Sequence, residues 1–219
     1  STTRYMINKN NFSIDVFHNS KIINREFKSP GTDRRNHLIE VLPLVTIEGL
    51  VLEFGVYQGK TIRIIADYFK NDTVWGFDSF EGLPEDWKTT KTGELRHPKG
   101  HFRLASLPEV PSNVKLVKGF FNQSLPEWCK ENKEQIKFLH MDADLYSSTI
   151  EVLSMLNSQI VPGTVISFDE MYPWRLYHMF DNWAEGEYKA LKEWLEKYDR
   201  EYVPLLRNNY QQCSIKIVK

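Results

Sequence analysis

The feature that most constrains this fold is an alternation: short apolar runs ending on an acid or a glycine, each followed by a segment of helical periodicity. Leu50–Phe54, Val74–Asp78, Val114–Lys118 and residues 136–142 and 164–169 read as strands, rich in β-branched and aromatic side chains. Residues 60–69 and 147–156 read as helices, the latter leading through Pro162-Gly163 to the strand over 164–169, and residues 126–132 read as part of a helix. Residues 187–198 form a further helix with Leu191, Trp194, Leu195 and Tyr198 on one face. Such alternation predicts an α/β fold, a mostly parallel sheet with helices on both faces. The tail breaks the pattern. Residues 202–206, a polar turn from Arg207 to Tyr210, and residues 213–218 predict a closing antiparallel hairpin.

The 219 residues suffice for one such domain, expected over 37–219. Residues 1–36 are polar with scattered aromatics (Tyr5, Phe12, Phe17, Phe27), which predicts an N-terminal arm of short helices. The arm is expected either to cover a site or to pack on a second copy in a homodimer. A helical segment over 35–45 follows it. Residues 85–106 form the one long stretch without periodicity, and loops of that length are commonly functional; we read it as a lid. A net charge of −1 gives no global basic field, so no nucleic-acid partner is expected. No apolar run reaches the roughly 20 residues that span a bilayer, so no membrane partner is expected either. Cys129 and Cys213, far apart, read as reduced thiols of a cytoplasmic protein.

Ligands of open α/β sheets bind beyond the carboxyl ends of the strands. Glu53 to Gly59, Asp78, Gly119, Asp142 and Asp169 all fall at such ends. Each alone has a plainer reading, Gly55 and Gly59 as turn glycines and Asp78 as a solvated carboxylate. Together they predict a nucleoside-containing cofactor, with Asp78 gripping a ribose diol. A dinucleotide site wants G-x-G-x-x-G facing a pyrophosphate. Here Glu53 precedes the first glycine; a carboxylate repels pyrophosphate but attracts the ammonium of an amino acid. That favours S-adenosylmethionine over NAD.

Four strings carry a resemblance: Glu53-Phe-Gly-Val-Tyr-Gln-Gly, Asp78-Ser-Phe-Glu-Gly-Leu-Pro, Gly119-Phe-Phe-Asn-Gln-Ser-Leu-Pro and Met141-Asp-Ala-Asp-Leu-Tyr-Ser-Ser-Thr. From about residue 33 to residue 193 the chain resembles the macrocin O-methyltransferase family, class I methyltransferases whose known members methylate sugar hydroxyls in antibiotic biosynthesis. The resemblance implies a Rossmann-like class I methyltransferase fold with a seven-stranded sheet, S-adenosylmethionine, and a divalent metal, commonly Mg2+. By position it implies Glu53 and Gly55 along the methionine part, with Tyr57, Gly59 and Thr61 nearby. Asp78 would hold the ribose hydroxyls, Ser79 and Phe80 would lie near the adenosine, and Gly119, Phe120 and Phe121 beside the adenine. Asp142 would serve both cofactor and metal, with Asp169 and Glu170 completing the metal ligands. Glu170 stands where family members often carry aspartate.

Asp142 and Asp144 end one strand, and Asp169 and Glu170 end the next. Crowded carboxylates repel unless a cation or protons offset them, and oxygen-only ligands suit magnesium, calcium or manganese. With Asp142 holding an ion, Asp144 is the candidate general base, or else the cap of the helix that follows it. His140, inside an apolar run, reads as a satisfied core residue. His97 and His101 read as an alternative base in the lid or as solvated loop residues. Trp174, Tyr177, His178 and Trp183 could stack on a sugar or on a planar ring alike. The expected activity is metal-dependent methyl transfer to a hydroxylated small molecule, a sugar of a glycoside or glycan. A catechol-like diol as acceptor and a non-catalytic S-adenosylmethionine-binding module are the alternatives.

Overall fold

The computed structural model describes residues 21–23, 28–88, 93–174 and 183–219. Ten strands and five α-helices follow in order: β1 (Lys21–Ile23), α1 (Pro30–Val41), β2 (Leu50–Phe54), α2 (Lys60–Tyr68), β3 (Val74–Asp78), β4 (Trp87–Lys88), β5 (Leu95–His97), β6 (Val114–Lys118), α3 (Phe121–Glu131), β7 (Ile136–Met141), α4 (Tyr146–Met155), β8 (Ile160–Phe168), α5 (Glu187–Lys197), β9 (Tyr202–Asn208) and β10 (Cys213–Ile217). Eight strands make one sheet in the order β6-β3-β2-β7-β8-β10-β9-β1. The expected seven strands are present, with β10 antiparallel to both of its neighbours. The eighth, β1, comes from the arm and lies parallel to β9.

Alternation along the strands sorts the core onto two faces. Leu52, Phe54, Leu139, Met141, Ile166 and Phe168 pack with Trp128 of α3, Leu153 of α4 and Trp194 of α5. Val51, Phe138 and Val165 turn the other way, onto Leu38 and Val41 of α1 and Ile62 and Ile65 of α2. The second face also buries a polar row. Glu53, His140, Ser167 and Ser214 stand in register across β2, β7, β8 and β10. His140 Nδ1 lies 2.8 Å from Glu53 Oε2, Ser214 Oγ donates to Ser167 Oγ at 3.0 Å, and His37 Nε2 of α1 lies 2.6 Å from Ser214 Oγ. Each has at least one partner, as burial of polar groups demands. Burial lowers the His37 pKa to about 3, so its ring is neutral. His140 is thus the satisfied core residue its apolar surroundings predicted.

Three local expectations need correction, and the part-helix over 126–132 extends back. α1 starts at Pro30, where the Ser29 hydroxyl accepts the Thr32 N–H, so an arm ending at residue 36 would end inside a helix. Residues 21–23 of that arm form a strand rather than a helix; its aromatics Tyr5, Phe12, Phe17 and Phe27 lie outside the described residues. α3 begins at Phe121, and Pro126 sits inside it. Proline there removes one intrahelical hydrogen bond, offset by burial of Leu125 and by Trp128 packed edge-on to Phe77. Pro162-Gly163 lies within β8 as an irregularity, not before it. Thr164 Oγ1 takes the Val161 N–H and donates to the Ile136 carbonyl, bridging the disturbed ladder.

The expected lid contains a small antiparallel hairpin, β4–β5, anchored by Trp87 against Leu83 and Leu145. Among the described residues, no helix is long and apolar enough to cross a membrane.

Candidate active site

From β2 the chain runs outward to β3 and β6, and from β7 to β8 on the other side, so strand order reverses between β2 and β7. A reversal leaves a crevice at the carboxyl ends of the two strands. They meet closely: Asp142 N–H donates to Phe54 O at 2.9 Å, and a Cβ built on Gly55 would stand 1.9 Å from Asp142 O. With φ +92° as well, position 55 admits only glycine. Three non-glycine residues adopt left-handed backbone where strands open into the crevice: Tyr57 (φ 48°), Phe80 (φ 55°) and Asp144 (φ 63°). Such strain persists only where surrounding bonds hold it. For Tyr57 and Phe80, Asp78 supplies them, Oδ2 accepting the N–H groups of Val56 (2.9 Å) and Tyr57 (2.7 Å) and Oδ1 that of Phe80 (2.8 Å). Oδ1, with a single donor, keeps acceptor capacity for a ligand hydroxyl, while Oδ2 already takes two.

The crevice opens as a cavity of about 700 Å³. Gly55, Tyr57 and Thr61 line it after β2, and Asp78 and Ser79 after β3. Gly119, Phe120 and Phe121 line it after β6, and Asp142, Asp144 and Glu170 after β7 and β8. Four residues that the resemblance places at the cofactor or metal lie off its wall. Gly59 begins α2 as a left-handed cap. Phe80 is buried with the α1–α2 core, and only its backbone serves the Asp78 turn. Glu53 is fully buried; Thr61, on the wall, donates its hydroxyl to Glu53 Oε2 at 2.8 Å, so the acid bears on the cavity through that threonine. Burial pushes the Glu53 pKa up, and its Oε1 has no hydrogen-bond partner. Asp169 is the fourth.

The fold divides the expected metal trio. Asp142, Asp144 and Glu170 each offer an oxygen, all within 4.8 Å of one another. Asp169 instead makes a two-point ion pair with Arg34 of α1, at 2.6 and 2.8 Å, while Gln212 Nε2 holds its backbone carbonyl at 3.0 Å. Desolvation, then the charge of Asp169, raises the Asp142 pKa well above its ordinary range; desolvation, then Asp144, does the same for Glu170. Desolvation lifts Asp144 to about 6. For Asp169 burial also pushes upward, but the Arg34 guanidinium outweighs it and the carboxyl ends below its usual value. Glu170 Oε2 is buried without a hydrogen-bond partner. An unpaired Glu170 oxygen beside two further proton-hungry carboxylates suits a small divalent cation.

Asp144 does not cap the following helix. Leu145 occupies the cap position of α4, and no side chain bonds there. His97 and His101 stack on each other at 4.1 Å and leave the wall to Lys99 and Phe102. Trp174 and Trp183 pack against Tyr172, off the cavity wall, while Tyr177 and His178 lie outside the described residues.

Arg34 and Glu187 were not foreseen. Arg34 lies 135 positions from Asp169 in sequence, on a helix without a motif. Arg34→Met is expected to destabilise the fold by about 3–5 kcal/mol, because it strands a buried carboxylate. Adding Asp169→Asn should recover much of that loss; urea unfolding of the single and double variants measures both.

A family model described as macrocin O-methyltransferase matches residues 30–199. The demethyldecarbamoylnovobiocin O-methyltransferase of Streptomyces niveus is 26% identical over 142 residues, 57% of this chain and 53% of that protein. The mycinamicin III 3''-O-methyltransferase of Micromonospora griseorubida is 28% identical over 157 residues, 61% and 59% of the two chains. The matches thus span little more than half the length of these curated relatives. Among solved structures, a calicheamicin methyltransferase superposes with a TM-score of 0.60 at 20% identity, covering 82% of this chain and 78% of that one. The O-methyltransferase NovP gives 0.59 at 21% identity, covering 86% and 79%. These likenesses establish the class I methyltransferase fold. With most of its length, helix α1 and all four strand-end strings inside the matched region, the chain belongs to the macrocin O-methyltransferase family.

Proposed function

We propose that this chain is a cytoplasmic, S-adenosylmethionine-dependent O-methyltransferase whose acceptor is a sugar hydroxyl of a small-molecule glycoside, and that a divalent cation assists it. One observation carries the reading: the glycine turn and ribose-type carboxylate at the β2–β3 ends open into the same cavity as the acidic cluster. The sugar acceptor is supported by the names of two relatives, one for the 4'-position of a rhamnosyl-bearing tetracenomycin C and one for the 3''-position of mycinamicin III. Two free cysteines accord with a reducing compartment.

S-adenosylmethionine, when bound, supplies an electrophilic methyl group on a sulfonium. Asp78 would hold the ribose hydroxyls, Phe120 and Phe121 would flank the base, and Thr61, backed by Glu53, would face the amino-acid end. Asp142 and Glu170 would hold the cation, with Asp144 alongside; Asp169 would join them only by leaving Arg34. A bound cation would orient the acceptor diol and acidify its hydroxyl. Asp144 would then take the proton of the reacting hydroxyl, and a pKa of about 6 suits a base working near neutrality.

The test is calorimetric titration of S-adenosylhomocysteine, with and without Mg2+, into wild type and Asp142→Asn. Micromolar cofactor binding by both proteins, with a Mg2+ site only in wild type, is the expected result. Transfer assays with sugar and catechol diols then identify the acceptor. Cofactor binding without a Mg2+ site in wild type would remove the cation, and no binding by folded protein would sink the whole reading.

A further inference from the structure

Helix α1 puts a cation on the wall of a cavity whose far side is acidic. Asp142, Asp144 and Glu170 line that side. Behind them Glu187, which opens α5 and is fully buried, accepts the backbone N–H of Glu170 at Oε2, 2.9 Å away. A ligand carboxylate entering here is repelled unless a positive group receives it. Arg34, Lys60 and Lys99 are the cations among the lining residues. Lys60 and Lys99 are exposed and screened by water, whereas Arg34 is half-buried and held in place. Its Nε and Nη2 both donate to Asp169, which has no exposed side-chain surface and lies off the wall. The Arg34 side chain keeps 28% of its surface exposed, and its Nη1 has no hydrogen-bond partner among the described residues. A guanidinium pinned along one edge by a carboxylate presents its other edge as a fixed donor.

We propose that Arg34 is a cofactor-binding residue whose free guanidinium edge takes the carboxylate of the amino-acid moiety, with Asp169 orienting it. The proposal rests on the S-adenosylmethionine reading above. Helices α1 and α2 cover one face of the sheet, where Leu38, one turn beyond Arg34, packs in the same cluster as Ile62. Thr61, next to Ile62, lines the cavity on that side. Arg34 therefore borders the end of the cavity assigned above to the amino acid. The two halves of the zwitterion then find opposite signs, the carboxylate on Arg34 and the ammonium along the acidic wall. Neutralising Asp169 alone would be met by an arginine enclosed with it. The exposed edge on the cavity wall is what that role leaves unexplained.

Calorimetric titration of the full chain, without added divalent cation, tests this by comparing S-adenosylhomocysteine with its decarboxylated analogue, which keeps the amine. Wild type is expected to prefer S-adenosylhomocysteine by about 10–100-fold, the usual weight of a charged hydrogen bond. In the double variant Arg34→Met, Asp169→Asn the preference should shrink to near parity, with affinity for the analogue at the wild-type value. Asp169→Asn alone leaves the guanidinium on the wall and should keep most of the preference. Arg34→Lys keeps the charge without the fork, should give an intermediate preference, and serves if the double variant does not fold. Equal affinity of wild type for both compounds overturns the anchor, as does a double variant that keeps the full preference. Loss of affinity for both compounds alike in the double variant marks a packing role and overturns it too. Wild type that binds neither compound defeats the cofactor reading itself, and the anchor falls with it.

Discussion

Gly55→Ala is expected to leave little protein able to fold or bind cofactor. The added Cβ would stand 1.9 Å from the Asp142 carbonyl oxygen, and the φ of +92° is one that L-residues rarely adopt. Relief requires the ends of β2 and β7 to part, which breaks the Asp142 N–H to Phe54 O bond at the base of the crevice. Clash and strain together place the loss on the order of 4 kcal/mol or more. The urea midpoint and S-adenosylhomocysteine titration report it. A wild-type midpoint would show that these strand ends separate at little cost and would contradict the floor of the site as described.

Asp144→Asn is expected to reduce turnover about 10²–10⁴-fold, the usual contribution of a general base, with affinity for S-adenosylhomocysteine essentially unchanged. Asparagine fills the same volume and tolerates the left-handed backbone. The pH profile separates base from bystander. Asp144 accepts a proton only when ionised, so kcat/KM of wild type should climb with pH through about 6, and the variant should lose that limb. The stability sign runs the other way. A carboxyl whose pKa is raised from 3.8 to about 6 on folding binds protons more tightly in the folded state. Its contribution to stability therefore declines as pH rises across that window. At neutral pH the variant should be at least as stable as wild type, so lost turnover could not be ascribed to unfolding. Full activity in Asp144→Asn would move the proton to another acceptor.

The five parallel strands at the centre were legible because each is a short apolar run closed by an acid or a glycine, a signal contained within a few residues. The same locality explains the misplaced boundaries. Residues 126–132 read as only part of a helix, and Leu125 and Trp128 bury enough surface to carry α3 back across Pro126 to Phe121. Pro162-Gly163 read as the approach to a strand, and Thr164 holds it within one.

At the site, the division is between what a residue is and what it meets. Spacing along the chain was enough to pick out the glycine turn, Asp78 and the acidic strand ends that line one crevice, since each depends on neighbours a few positions away. Pairing was decided only when α1 and α5 packed onto the sheet. There Arg34 claims Asp169, Asp144 joins Asp142 and Glu170 as the third oxygen donor, and Glu187 enters from a helix beyond every motif. Glu53, placed by its string beside the cofactor, instead meets Thr61 and His140 beneath the wall. Electrostatic partners are chosen by distance in space, and residues separated by 87 or 135 positions become neighbours only through the order of the strands and the helices that cover them.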